Sequence, residues 1–152
     1  YIEKHDNQSS EAERLLKLEQ EKNLIEPDPY RAFAERTESV RSELKQLLVS
    51  LKNKGCRIAG YGAAAKASTL LHYCGIGKDV LTWVVDRNPI KHGKYMGEIH
   101  LPIYPVEKLQ RERPDYALLL SWNLADEIID QQKSYRSKGG RFIIPIPIPE
   151  IV

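Results

Sequence analysis

The chain has 152 residues, which is enough for one ordinary domain with a sizeable core and an appended helix. Its hydrophobic share of 41% and charged share of 29% are typical of a soluble globular protein, and no apolar run reaches the roughly 20 residues that span a bilayer. A formal net charge of +2 is too small to indicate a nucleic-acid partner.

The first predicted elements are a strand end at residues 1–4 and a helix from Ser9 or Ser10 to about Leu24. Either serine is a suitable N-cap, and leucines at helical spacing give the helix an apolar face. Because the chain opens with Tyr1 rather than Met, we expect it to be part of a longer polypeptide.

A second, longer helix is the clearest element of the N-terminal part. Asp28 is suited to cap it, apolar side chains recur at spacings of three and four over residues 30–51, and Gly55 ends it. An apolar stripe of this kind must be buried. We therefore predict that residues 1–54 form a helical segment packed on the sheet of a second region, residues 55–152.

Strands and helices alternate in this second region. The five predicted strands cover residues 56–60, 80–85, 100–104, 116–121 and 141–146. The predicted helices cover residues 63–74, 105–113 and 123–137, with Asn123 as the cap of the last one, and residues 86–97 form a polar loop.

This alternation predicts an α/β fold, namely a Rossmann-like, five-stranded, mostly parallel sheet of order 3-2-1-4-5, flanked by helices and preceded by the two N-terminal helices. The prolines at 145, 147 and 149 cannot donate to a strand ladder. The last strand is therefore expected to lie at an edge or to leave the sheet near Pro147.

The main candidate site is the turn after the first strand, which reads Gly60-Tyr61-Gly62-Ala63-Ala64-Ala65-Lys66. A Gly-x-Gly-x-x-Ala pattern between a strand and a helix lets the backbone approach a pyrophosphate. We expect the main-chain amides between Ala59 and Ala65 to bind negatively charged oxygen, which would also compensate the cation of Lys66 at the helix start. In the alternative interpretation the glycines only permit a close turn and Lys66 points into solvent.

Residues after two other strands are expected at the same edge of the sheet. Asp86 is spaced from the glycines like an acid that binds a ribose hydroxyl, or it is a turn acid that binds nearby main-chain N–H groups. The cations of Arg87, Lys91 and Lys94 are candidates for phosphate contact or for a solvated loop. After the fourth strand, Trp122 is either a stacking platform for a base or sugar or a core residue.

No metal site is predicted. Cys56 and Cys74 are too far apart for a metal knuckle, and the four histidines lack ligand spacing. We expect both thiols to be buried and reduced, and no basic-then-apolar leader begins the chain, so a cytoplasmic location is expected.

The run from Gly60 to Ile76 resembles the signature of the C-terminal domain of sugar C-methyltransferases. Shorter matches to that family occur at residues 85–89, 114–116, 121–124, 127–128 and 144–147, and the helix over residues 30–51 fits as well. The chain departs from the family at Ala64 and Ala67, where Pro and Gly are usual, and at His72, where Asn is usual.

The resemblance implies an S-adenosylmethionine-dependent enzyme that methylates a carbon atom of a nucleotide-linked sugar, such as a dTDP-sugar. It also implies an N-terminal zinc-binding module and a central S-adenosylmethionine-binding domain outside this chain, with the catalytic bases in the central domain. No catalytic residue and no cofactor are therefore expected in this chain, and the chain alone is expected to be inactive.

On this view the region 55–152 helps to bind and orient the nucleotide-sugar. The expected binding residues are Gly60, Tyr61, Gly62, Lys66, Asp86, Arg87, Asn88, Lys91, Ser121, Trp122 and Asn123. S-adenosylmethionine is not expected at this glycine turn, because Arg57-Ile58-Ala59 supplies no acid before it. The alternatives are an NAD(P)- or CoA-binding Rossmann module of an oxidoreductase and a purely structural Rossmann-like cap.

Overall fold

The computed structural model describes residues 9–97 and 99–152, and the expected strand end at residues 1–4 lies outside them. The helices are α1 Ser10–Glu21, α2 Pro27–Asn53, α3 Ala65–Cys74, α4 Glu107–Glu112, α5 Ala125–Gln131 and α6 Lys133–Ser137. The strands are β1 Ile58–Tyr61, β2 Val84–Val85, β3 Tyr95–Met96, β4 Leu101–Tyr104, β5 Tyr116–Leu119, β6 Arg141–Ile144 and β7 Glu150–Ile151. Short 3-10 helices cover Pro89–Lys91 and Trp122–Leu124.

The chain divides into two compact units, of which the first ends at Glu38 and the second is Ser39–Val152. In the first unit Ser9 caps α1, as predicted, and its Oγ accepts a hydrogen bond from the Ala12 N–H at 3.2 Å. No residue of α1 is buried. Asp28 was expected to cap the second helix but lies inside its first turn, where its charge still favours the positive end of the helix dipole.

The second unit begins within α2, and only this part of the predicted apolar stripe is buried. Leu44, Leu48 and Leu51 are at most 5% exposed and belong to the larger core cluster, whereas Tyr30 and Phe33 are exposed. Gly55 ends the helix region with a φ of +79°, the left-handed conformation that the sequence predicted.

A single sheet of seven strands in the order β3-β4-β2-β1-β5-β6-β7 organises the second unit. The neighbours from β4 to β6 pair in parallel, while β3 pairs with β4 and β7 pairs with β6 antiparallel. The predicted five-stranded order 3-2-1-4-5 is therefore wrong for the whole sheet, because a further strand lies at each edge. Both edge strands have two residues, which is too short to leave an alternating pattern.

Several predicted bounds are also corrected. The second strand is confined to Val84–Val85; Val80 ends a turn, and residues 81–83 have no regular secondary structure. The predicted helix over residues 123–137 is divided into the 3-10 helix, α5 and α6, and the residue preceding α5 is Leu124, so Asn123 is not its cap. The last parallel strand ends at Ile144, before the prolines, and β7 rather than β6 forms the edge.

Apolar clusters cover both faces of the sheet. The larger contains the buried leucines of α2 together with Leu70 and Leu71 of α3, and the smaller contains Tyr135 and Phe142, whose rings meet edge to face at 5.3 Å. Within the described part of the chain, no helix has the length and apolar content to cross a bilayer.

Candidate functional site

The carboxyl ends of three adjacent parallel strands, β2, β1 and β5, carry the predicted binding residues. From β1 come Gly60 and Tyr61, followed by Gly62 and by Lys66 in the first turn of α3. After β2 come Asp86, Arg87, Asn88 and Lys91, and after β5 come Ser121, Trp122 and Asn123. Parallel strands place their carboxyl ends at one edge, so residues far apart in sequence meet there.

The two glycines of the turn are required by packing. A Cβ on Gly60 would lie 2.9 Å from Val84 Cγ2, so a side chain there would displace β2. Gly62 has a φ of +96°, and a Cβ on it would overlap the Ser121 Oγ at the end of β5. This geometry supports the interpretation that the glycines permit a close turn.

Two main-chain amides of the turn, those of Gly62 and Ala63, are engaged within the chain. The Gly62 N–H donates to the Val85 carbonyl at 2.7 Å, and the Ala63 N–H donates to the Asp86 Oδ2 at 2.7 Å. The expectation that these amides face an incoming anion is therefore wrong for Gly62 and Ala63. The physical reasons are that the Gly62 amide continues the pairing of β1 with β2 by donating to Val85, and that Asp86 reaches back from the end of β2 to accept from Ala63.

Asp86 is a turn acid, one of the two roles that the sequence left open. Its Oδ1 accepts a hydrogen bond from the Asn88 N–H at 2.8 Å, and its Oδ2 lies 3.1 Å from the Lys91 Nζ. Burial alone would raise the pKa of Asp86, but the hydrogen bonds from Asn88, Lys91 and Ala63 outweigh it and hold that pKa below its usual value. The carboxylate thus remains ionised and is committed to these donors.

Lys66 does not point into solvent. Its Nζ donates a hydrogen bond to the Asn123 Oδ1 and lies 4.1 Å from the centre of the Trp122 ring. Trp122 is half-buried and packs against the larger core cluster, so it is both a core neighbour and the platform under this cation. The three side chains meet between the ends of β1 and β5, at the edge of the sheet where the sequence predicted the site residues.

Arg87 is paired rather than free. Its guanidinium donates to the Glu127 Oε1 at 3.1 Å and to the Gln131 Oε1 at 3.2 Å, which links the end of β2 to α5. Lys91 is likewise matched with Asp86. Among the ion pairs of residues 9–97 and 99–152, none joins Lys66 to a carboxylate.

A pocket of about 310 Å³ lies beside this edge, on the face where Tyr61 is buried. It is lined by Tyr61, Asp86, Arg87, His92, Val106, Glu107, Gln131 and Gln132. The Tyr61 hydroxyl accepts a hydrogen bond from the Gln132 Nε2 at 3.4 Å, and burial raises the pKa of this tyrosine, which keeps it neutral.

Sequence reasoning missed several residues of this pocket. His92 lies in the loop that the sequence marked as polar, and its Nε2 is 2.7 Å from the Asp86 main-chain oxygen. Glu107 begins α4, Gln131 ends α5 and Gln132 lies between α5 and α6, so these residues follow other strands, and no local pattern signals that they converge. Both cysteines are free thiols, of which Cys74 is buried and Cys56 is partly exposed.

Residues 1–147 match the model of a family described as the C-methyltransferase C-terminal domain. Over 138 residues the chain is 40% identical to the C-methyltransferase NovU of Streptomyces niveus, and the alignment covers 91% of this chain and 33% of that relative. The chain thus spans about a third of the length of this curated relative. The resemblance seen in the sequence is confirmed, and the chain belongs to the C-methyltransferase C-terminal domain family.

Proposed function

We propose that this chain is the part of an S-adenosylmethionine-dependent C-methyltransferase that binds a nucleotide-linked sugar and orients it for methyl transfer. The observation that carries the proposal is Lys66, a cation held at the sheet edge by a ring and an amide rather than by a carboxylate. The full polypeptide would perform the chemistry, and this chain would contribute to the rate by positioning.

The charge balance of the edge supports Lys66 as the anchor for a diphosphate. The cations of Arg87 and Lys91 are neutralised by Glu127 and Asp86, respectively. Lys66 lies in the first turn of α3, where the helix dipole adds further positive potential. An anionic group approaching the end of β1 is therefore attracted to Lys66 more than to the other two cations.

The neutral parts of a sugar nucleotide find suitable partners on either side. Trp122 is only half-buried beside Lys66, and a base or sugar ring can stack on the exposed part of its ring. The pocket beside Tyr61 is lined by amide, carboxylate and imidazole groups, which are suited to sugar hydroxyls. We propose that the parallel part of the sheet is Rossmann-like and that its carboxyl edge is the substrate-binding edge.

The same edge does not suit S-adenosylmethionine or a dinucleotide. An acid that binds a ribose uses its carboxylate oxygens to accept from the hydroxyls, whereas the Asp86 carboxylate already accepts three hydrogen bonds within the chain, out of about four that a carboxylate can take. We therefore propose that the methyl donor binds elsewhere in the polypeptide, that no catalytic residue lies in this chain, and that the chain alone is inactive. The hydrogen bonds that the Asp86 carboxylate accepts within the chain also count against the NAD(P)- or CoA-binding alternative.

Calorimetric titration of the full chain with dTDP, UDP and NADH tests the proposal. We expect a nucleoside diphosphate to bind, and Lys66→Met to weaken it about ten- to a hundred-fold, as for loss of a charge-assisted hydrogen bond. Lys138→Met is the matched control, because Lys138 is an exposed lysine that precedes β6, at the amino ends of the strands.

Two outcomes would contradict the proposal. Binding of NADH without binding of either nucleoside diphosphate would favour an oxidoreductase-like module. Absence of binding by all three ligands at millimolar concentration would favour a structural role for the domain.

A further inference from the structure

The geometry points to an anion that the chain supplies to its own glycine turn: we propose that the Asp86 carboxylate occupies the place of a phosphate at the Ala63 amide and closes that position to the pyrophosphate of a dinucleotide. This inference goes beyond the proposed function, in which a diphosphate binds at Lys66 and not at the Ala63 amide. It assigns to Asp86 a role in specificity, namely exclusion of dinucleotides from a turn whose sequence resembles theirs.

The donors around Asp86 are those that hold a phosphate in a nucleotide-binding turn. The Ala63 N–H and the Lys91 ammonium both donate to Oδ2, at 2.7 and 3.1 Å, and the Asn88 N–H donates to Oδ1 at 2.8 Å. Two main-chain amides and one lysine are a donor set that favours an anion. Asp86 is only 8% exposed, and its carboxylate takes up these three donors in place of another anion.

The remaining contacts hold the carboxylate in place. The Lys91 Nζ also donates to the Ala63 carbonyl at 2.9 Å, and the next amide of the turn, that of Gly62, is paired with the Val85 carbonyl. The His92 ring contacts the Asp86 main-chain oxygen at 2.7 Å. The loop after β2 and the turn after β1 are thus joined through one carboxylate, and its removal would leave a vacant site lined by the same donors.

Anion rescue of Asp86→Ala in the full chain tests this proposal. We expect the melting temperature of the variant to fall. Inorganic phosphate or acetate should raise it again by roughly 3 °C or more, and this rise should saturate with anion concentration. The rise is measured relative to chloride at equal ionic strength. The unsubstituted chain is expected to respond to phosphate as it does to chloride.

Asp115→Ala is the matched control. The Asp115 Oδ2 accepts a hydrogen bond from the Arg57 N–H at 2.7 Å, at the opposite end of β1, but its side chain is 51% exposed. Water replaces such a carboxylate, so we expect a loss of stability without saturable rescue. Failure of anions to restore Asp86→Ala, or equal restoration of both variants, would overturn the proposal.

A measurement that leaves Asp86 in place covers the case in which Asp86→Ala does not fold. In amide-resolved NMR of the Lys66→Met variant, which lacks the proposed diphosphate anchor, titration with pyrophosphate is expected to leave the Ala63 N–H resonance unshifted, because its acceptor is already present. A saturable shift of that resonance would show that the turn admits the anion, and would overturn the proposal.

Discussion

The ammonium nitrogen of Lys66 lies 4.1 Å from the centre of the Trp122 ring, and it also bonds the side-chain oxygen of Asn123. Lys66 begins α3 just after β1, whereas Trp122 follows β5, so the contact joins the ends of two adjacent strands. A cation held against a ring is partly desolvated while its charge remains available to a ligand.

Replacement of the ring should therefore affect both stability and ligand binding. We expect Trp122→Leu to lower the free energy of unfolding by about 1–2 kcal/mol, because it removes the cation–π contact and part of the buried ring. Trp122→Phe should retain part of the effect, since a smaller ring remains under Lys66. Urea unfolding checks the stability, and a leucine variant as stable as the phenylalanine variant would contradict the expected contact.

A side chain at Gly62 should destabilise the fold by two separable effects. Gly62→Ala is expected to cost roughly 2–4 kcal/mol, because its Cβ would overlap the Ser121 Oγ and because a φ of +96° strains an alanine. The double variant Gly62→Ala with Ser121→Gly removes the overlap but retains the strain. Urea unfolding of the two single variants and the double variant gives the coupling energy between positions 62 and 121. We expect the double variant to be more stable than the sum of the two single losses predicts. Losses that simply add would exclude the overlap.

Gly140 is predicted to be intolerant of any side chain for a steric reason. A Cβ there would overlap the ring of Tyr135, which is buried and donates its hydroxyl hydrogen to the Pro114 carbonyl at 2.8 Å. We expect Gly140→Ala to destabilise the chain by about 1–3 kcal/mol. A Cβ on Gly97 would have its nearest contact, the Ser68 Oγ, at 3.9 Å, so Gly97→Ala should be close to neutral. Thermal unfolding of the Gly140 and Gly97 variants measures the difference.

The C-terminal part of α2 should be essential for stability. Leu48 is 0% exposed within the larger core cluster, so Leu48→Ala should leave a cavity that costs about 2–5 kcal/mol. The adjacent Val49 is 40% exposed and faces away from that core, and Val49→Ala should have little effect. Equal losses for the two variants in urea unfolding would mean that this helix does not pack as described.

The ionisation of Asp86 predicts a specific dependence of stability on pH. Its pKa in the folded chain lies below its usual value, whereas an unfolded aspartate titrates at about 4. The stabilisation is therefore fully present above about pH 4 and is lost as the pH falls through the lowered folded value.

Comparison with Asp86→Asn isolates this dependence. The variant should be less stable than the unsubstituted chain at pH 7 by about 1–3 kcal/mol, and the difference should shrink below about pH 4. Urea unfolding between pH 7 and pH 3 measures it. A difference that stays constant over that range would show that the charge of Asp86 does not contribute.

Much of the fold was accessible from local pattern. The serine before α1, the left-handed Gly55 and the alternation after it all rest on contacts between near neighbours in the chain. The edge strands β3 and β7 were not accessible, since two residues carry no periodic signal and become strands only when β4 and β6 present unpaired backbone groups. The break between α5 and α6 escaped prediction for a similar reason, because the sequence around Gln132 continues a helical composition.

The sequence by itself determined the family, the alternation of strands and helices, and the set of residues that gather at one edge of the sheet, because motif spacing and strand order are properties of the chain. Only the tertiary structure decided what those residues do there. It joined the Asp86 carboxylate to the Ala63 amide and set Lys66 against Trp122, since partners far apart in sequence compete for the same hydrogen bonds and charges only after the strands have paired.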